Sequence, residues 1–147
     1  MKKMMAQMTN KNIVITGASK GIGRATALAL AGQQVNLGLV ARSLPELEQL
    51  QLEVEALGSK CIIVAGSVAE ESTAQKTITL MTDGFGSVDV LINNAGFGNS
   101  KPFDTFSEKE WDSLYGTNVK GTFLFTKAVS PVMKANKAGH IIIVASD

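Results

Sequence analysis

Short, wholly apolar runs alternate along this chain with longer stretches in which apolar residues return every three or four positions. The first pattern belongs to buried strands and the second to amphipathic helices. Asn12 to Thr16 reads as a strand, followed by a helix from about Gly21 to Ala31, with Gly32 where a C-terminal helix glycine belongs. Val35 to Ala41 is a second strand. Ser43-Leu44-Pro45-Glu46 opens the next helix with a capping-box pattern and a proline in its first turn. Leu44, Leu47, Leu50, Val54 and Leu57 are expected to form its buried face, and Gly58 to end it. Cys61 to Ala65 is a third strand. Ser67 and Glu70 repeat the capping pattern before a helix whose buried face is Ala74, Ile78 and Met81. Val88 to Asn93 is a fourth strand, Gly96 to Phe106 is loop-like, and Ser107-Glu108-Lys109-Glu110 starts a helical region running to about Asn136. His140 to Ala145 is a fifth strand, whose Ile141-Ile142-Ile143-Val144 shows no polar alternation, as expected of a strand buried on both faces.

Strands alternating with helices argue for right-handed βαβ crossovers and an α/β fold with a doubly wound parallel sheet. No repeat, low-complexity tract or linker interrupts the pattern. Residues 1–11 read as an N-terminal extension and 12–147 as one domain, or part of one.

Composition narrows the class. Hydrophobic residues make up 45% of the 147 and charged residues 18%, which excludes a disordered chain. The net charge is +1 with no basic tail or stripe, so no nucleic-acid partner is expected. The single cysteine, Cys61, rules out an internal disulfide framework and reads as an inert core thiol in a reducing compartment. The N-terminus lacks the apolar centre of a signal peptide, and no run approaches the roughly 18 apolar residues of a membrane span. A cytoplasmic location is the expectation. Met8 competes with Met1 as the starting residue.

The chemistry begins after the first strand, at Thr16-Gly17-Ala18-Ser19-Lys20-Gly21-Ile22-Gly23. A diphosphate needs backbone N–H groups aimed at it and little side-chain bulk in the way. Gly17, Gly21 and Gly23 meet that need, and the following helix adds its positive N-terminal end. A glycine triplet alone is weak evidence; the strand before it and the helical Arg24-Ala25-Thr26-Ala27-Leu28 after it supply the context. Ser19, Lys20 and Ile22 share the turn and are cofactor-lining candidates with the three glycines.

Three further motifs follow in order: Asn93-Asn94-Ala95-Gly96 after the fourth strand, Asn118-Val119-Lys120-Gly121 in a helix, and Gly139 to Ser146. With the glycine turn they resemble the short-chain dehydrogenase/reductase family over nearly all of Asn12 to Ser146. That resemblance implies a nicotinamide-dependent oxidoreductase on a three-layer Rossmann fold, with sheet order 3-2-1-4-5, C-terminally incomplete here. The reaction implied is hydride transfer between the nicotinamide and a small carbonyl or secondary-alcohol substrate.

The end of the second strand distinguishes the two nicotinamide cofactors. An acidic residue there binds the ribose 2′-hydroxyl of NAD, and an arginine accommodates the 2′-phosphate of NADP. The sequence reads Val40-Ala41-Arg42-Ser43, without a carboxylate at the tip. Arg42 and Lys20 fall where the family places its 2′-phosphate contacts, although either residue type is commonly just a solvated surface charge. NADP is therefore expected over NAD. After the third strand the family usually carries a polar residue against the adenine; here Gly66-Ser67-Val68 leaves two readings of Ser67, adenine contact or helix cap.

By the same resemblance, the asparagines of 93–96 brace neighbouring strands, and Asn94, Ala95 and Gly96 adjoin the cofactor. Asn118 matches an asparagine that interrupts its helix and holds a water in a proton relay. Ser146 matches the serine that hydrogen-bonds the substrate oxygen. No metal site is assigned. The family's general acid/base pair is a Tyr followed four residues later by Lys, after this serine. The one tyrosine here, Tyr115, precedes Ser146 and is followed at that spacing by Val119. The 147 residues are therefore expected to be inactive alone, and a non-catalytic dinucleotide-binding or interaction protein is the alternative. Ile141 to Val144 would also be left with an unpaired edge and an uncovered apolar face, so a homo-oligomer or self-associating chain is expected.

Overall fold

The computed structural model describes residues 8–145. Strands β1 (Asn12–Thr16), β2 (Asn36–Ala41), β3 (Lys60–Ala65), β4 (Val90–Asn93) and β5 (His140–Ile143) form one parallel sheet, ordered β3-β2-β1-β4-β5. This is the expected Rossmann-type arrangement. The connecting helices are α1 (Gly21–Ala31), α2 (Leu44–Ala56), α3 (Glu71–Phe85), α4 (Glu108–Tyr115) and α5 (Gly121–Asn136).

Strand alternation divides the core into two layers. Ile13, Ile15, Leu37 and Leu39 pack with Ala27 and Ala31 of α1 and with Leu47, Leu50 and Val54 of α2. Val14, Val40, Val64 and Leu91 point the other way, onto Ala74, Ile78 and Met81 of α3 and Leu124, Phe125, Val129 and Met133 of α5. Each fully buried aliphatic or aromatic side chain contributes about 1.5–3 kcal/mol. At position 38 the sheet carries no side chain at all, because a Cβ there would lie 2.7 Å from the Met81 sulfur. Met81 fills the notch.

Cys61 is buried in β3, and loss of solvation pushes its thiol up to about 12, with Glu55 adding to the effect. It is an inert thiol, as its strand context suggests.

Several sequence expectations need correction. Leu44 and Leu57 do not belong to the buried face of α2, being 45% and 51% exposed. At about 100° per residue Leu44 lies roughly 120° around the helix from Leu50, and Leu57 is the C-cap, beyond the last turn. Neither Ser43 nor Ser67 completes a capping box. Ser43 is the N-cap of α2 without a side-chain cap bond, and the N-cap position of α3 is Glu70 rather than Ser67, likewise without one. The box does form at Ser107, whose hydroxyl accepts the Glu110 N–H while Glu110 accepts the Ser107 N–H. Gly32 sits at the C-cap of α1 with an ordinary φ of −73°; the left-handed glycine caps are Gly58, just after α2, and Gly86, after α3.

The helical region from 107 to 136 is not continuous. Gly116–Lys120 forms a π turn, in which the Gly121 N–H reaches back to the Gly116 carbonyl. The largest correction concerns β5. Ile141, Ile142 and Ile143 are exposed rather than buried on both faces, because β5 pairs only with β4 and no described helix covers it. The uncovered edge and apolar surface expected at Ile141 to Val144 are present.

Candidate functional site

The site lies at the C-terminal ends of β1, β2 and β4, where an open α/β sheet receives ligands. Thr16 ends β1 as the one polar side chain after Ile13-Val14-Ile15, and it is buried. A buried hydroxyl needs partners. It finds them 78 and 79 residues away: its Oγ1 accepts the N–H groups of Asn94 and Ala95, both at 3.0 Å. Asn94 answers with its amide, donating to the carbonyls of Thr16 (3.0 Å) and Gly17 (3.2 Å). The glycine turn and the loop after β4 are thus one hydrogen-bonded unit. Bracing by an asparagine of the 93–96 motif is realised at Asn94. Asn93 reaches toward α5, its Nδ2 standing 3.3 Å from the Thr126 hydroxyl.

Close approach explains two of the glycines. A Cβ on Gly23 would lie 2.3 Å from the Gly17 carbonyl oxygen and 2.5 Å from Asn94 Nδ2; one on Gly17 would meet the Ala95 Cα at 2.8 Å. Gly21 has open space around it and is needed instead for its φ of +52°. Lys20 is the N-cap of α1 but gives the first turn no side-chain acceptor. The first-turn N–H groups, including those of Ile22 and Gly23, therefore stay available to an anion. Ile22 is exposed beside them and Ser19 is half-buried.

At the neighbouring tip, the Ala18 N–H donates to the Val40 carbonyl at 3.0 Å, which brings the turn over the end of β2. Arg42 follows β2, exposed, and takes part in none of the ion pairs among the described residues. Lys20 is paired, with Glu46 of α2 at 3.0 Å. That contact, with lesser help from Ser19 and Ser43, holds the Glu46 carboxyl below the usual carboxylate range. Gly66 at the end of β3 packs against Thr73, and the Ser67 hydroxyl accepts the Ala69 N–H at 3.2 Å. The helix-cap reading of Ser67 is replaced by this local turn.

On the other side of the cleft, the Asn118 side chain clasps the backbone of Phe97. Nδ2 donates to its carbonyl (2.9 Å) and Oδ1 accepts its N–H (3.0 Å). Gly96 is held close, since a Cβ there would sit 3.3 Å from Asn118 Oδ1. Asn118 occupies the centre of the π turn, so the helix is interrupted at the residue where interruption was expected. Ser146 lies outside the described residues. Sequence reasoning missed the roles of Thr16, Glu46 and the Phe97 backbone. Only Thr16 carried a signal, as the polar residue that closes the apolar run Ile13-Val14-Ile15.

The cradle suits a dinucleotide. Side-chain bulk is absent at Gly17, Gly21 and Gly23, the helix start is uncapped, and two cations stand at the adjacent strand tip.

Comparison with known proteins agrees with this geometry. The family model for short chain dehydrogenases matches residues 11–147. An uncharacterised oxidoreductase of Listeria monocytogenes is 37% identical over 137 residues, covering 93% of this chain and 55% of the relative. The 3-oxoacyl-[acyl-carrier-protein] reductase FabG of Staphylococcus epidermidis is also 37% identical, over 93% of this chain and 57% of its own length. The crystal structure of a metagenomic short-chain oxidoreductase in complex with NADP superposes with a TM-score of 0.89 at 34% identity, covering 95% of this chain and 64% of that one. The chain spans little more than half the length of the curated relatives it matches. From the glycine turn to the last described strand, the chain belongs to the short-chain dehydrogenase/reductase family.

Proposed function

We propose that this chain is the cofactor-binding part of an NADP-dependent oxidoreductase that interconverts a carbonyl compound and a secondary alcohol. The observation that carries the cofactor choice is Arg42, exposed at the tip of β2 with no carboxylate at 41–43 to favour a ribose hydroxyl. The NADP in the solved relative and the reductase names of the Staphylococcus relatives support the same reading.

In this reading Gly17, Ser19, Lys20, Gly21, Ile22 and Gly23 hold the diphosphate end, and Arg42 with Lys20 meets the 2′-phosphate. Ser67 lies toward the adenine, and Asn94, Ala95 and Gly96 floor the cleft. When bound, the nicotinamide supplies or accepts the hydride. Asn118 holds the Phe97 backbone, and with it the rim of the cleft. Ser146 would hydrogen-bond the substrate oxygen. No Tyr-x-x-x-Lys occurs in the 147 residues, so the chain alone should not turn over carbonyl substrates; general acid–base help of about 10²–10⁴-fold would be missing. Steady NADPH oxidation abolished by Ser146→Ala would refute that. A reducing, cytoplasmic setting suits the buried Cys61 thiol. Self-association suits the bare apolar surface of β5 and the exposed Trp111, Tyr115, Val119 and Phe123.

Calorimetric titration with NADPH and NADH tests the central claim. One charge-assisted bond to the 2′-phosphate should favour NADPH by about 1.5–3 kcal/mol, and Arg42→Ala should remove most of the preference. Equal affinity for both cofactors in the unmutated chain would defeat it.

A further inference from the structure

Two cations and one carboxylate share the strand tip at which the 2′-phosphate is assigned. Because β1 and β2 are adjacent and parallel, the turn after β1 and the start of α2 emerge at the same end of the sheet. Lys20 comes from the turn, and Glu46 from the first turn of α2, four residues after Arg42. Their Nζ and Oε1 atoms are 3.0 Å apart. Glu46 closes no capping box on the N-cap Ser43; its carboxylate reaches across to Lys20 of the neighbouring loop.

We infer that Glu46 is a specificity-determining residue. It competes with the cofactor's 2′-phosphate for the Lys20 ammonium and so limits the discrimination between NADP and NAD. The inference rests on the assignment of Lys20 and Arg42 to the 2′-phosphate. A phosphate monoester carries between one and two negative charges near neutral pH. To contact Lys20 it must share that ammonium with a carboxylate or displace it, and either raises the free energy of the bound state. A dinucleotide with a plain 2′-hydroxyl brings no such charge and leaves the pair in place. Arg42 has no competing partner among the described residues and keeps its full attraction. Glu46 therefore acts on one cofactor and not the other.

The probes are 2′,5′-ADP and 5′-AMP, which differ by the phosphate in question and do not require the nicotinamide side of the cleft. Their dissociation constants are measured by calorimetry on the full 147-residue chain, as wild type, Glu46→Gln, Lys20→Ala and the double variant. An exposed ion pair is weak, so Glu46→Gln should tighten 2′,5′-ADP by about two- to fivefold and leave 5′-AMP unchanged. In the Lys20→Ala background the gain should vanish, as a double-mutant cycle requires when one residue acts through the other. Three results would overturn the inference: no gain or a loss for 2′,5′-ADP, an equal gain for both nucleotides, or a gain that persists without Lys20. If wild type and Arg42→Ala instead bind the two nucleotides alike, the cofactor assignment itself has failed.

Discussion

Thr16 and Asn94 bond each other twice: the Asn94 N–H donates to the Thr16 hydroxyl, and the Asn94 amide donates back to the Thr16 carbonyl, each at 3.0 Å. Thr16 ends β1 and Asn94 directly follows β4, its neighbour in the sheet, 78 positions later in sequence. Replacing the hydroxyl by a methyl keeps the shape and strands two N–H donors. Thr16→Val should therefore cost about 1–3 kcal/mol for each donor left without a partner. Urea unfolding reads the stability, and nucleotide titration should show weaker binding in parallel. A variant of wild-type stability would mean that water replaces the hydroxyl without loss.

Gly23 lies in the first turn of α1 and Gly32 just after its end, but they differ in what a methyl would meet. Gly23→Ala puts a Cβ against fixed backbone at Gly17 and should abolish dinucleotide binding. Gly32→Ala meets open space at a φ of −73° and should be neutral or add up to about 1 kcal/mol, by restricting the unfolded chain. Thermal melting with and without NADPH separates the two. A Gly23→Ala variant that binds normally would show the turn to be more compliant than its contacts imply.

Acid stability should depend on Glu110. Its carboxyl is held near a pKa of about 2, first by Lys101 at 2.7 Å and then by the N–H and hydroxyl of Ser107. A folded pKa below the ordinary 4.5 means that the contribution is present in full above 4.5 and is lost as pH falls toward about 2. The stability difference between wild type and Glu110→Gln should be largest at neutral pH and shrink along that acid limb. Denaturant unfolding from pH 7 to pH 3 follows it. A difference that grows on acidification has the wrong sign for this linkage.

β5 should govern self-association. Ile142 is 48% exposed on a strand paired along one edge only. Ile142→Lys places a charge in that apolar surface and should lower the sedimentation coefficient at low micromolar concentration. A wild-type chain that already sediments as a monodisperse monomer would remove the premise.

The legible parts of this fold and site were those whose causes lie close together in the chain. The apolar run before Gly17, the three glycines and the helix after them are local, and they fold as read. Burial of β5 was misread because an apolar run looks the same whether or not anything covers it; covering is a long-range fact. The capping pattern at Ser43 was misread because Glu46 had a competitor, Lys20, 26 positions upstream in the sequence. Glu110 could serve Ser107 and Lys101 together, so its box survived. The role of Thr16 was hidden for the same reason that it matters: its partners, Asn94 and Ala95, lie in the loop after β4, much later in the chain.

The π turn at Gly116–Lys120 holds one residue more than a regular helical turn would. A wide turn of this kind takes up its extra residue within one revolution, so α4 and α5 keep the phase that a continuous helix would give them. Removing one residue, Val119 for instance, would close the turn to a regular one and leave Phe125 and Val129 against the sheet. What would go is the local widening at Asn118, from which its side chain reaches the Phe97 backbone. The damage of such a deletion would fall on the rim of the cleft, with the core left as it is.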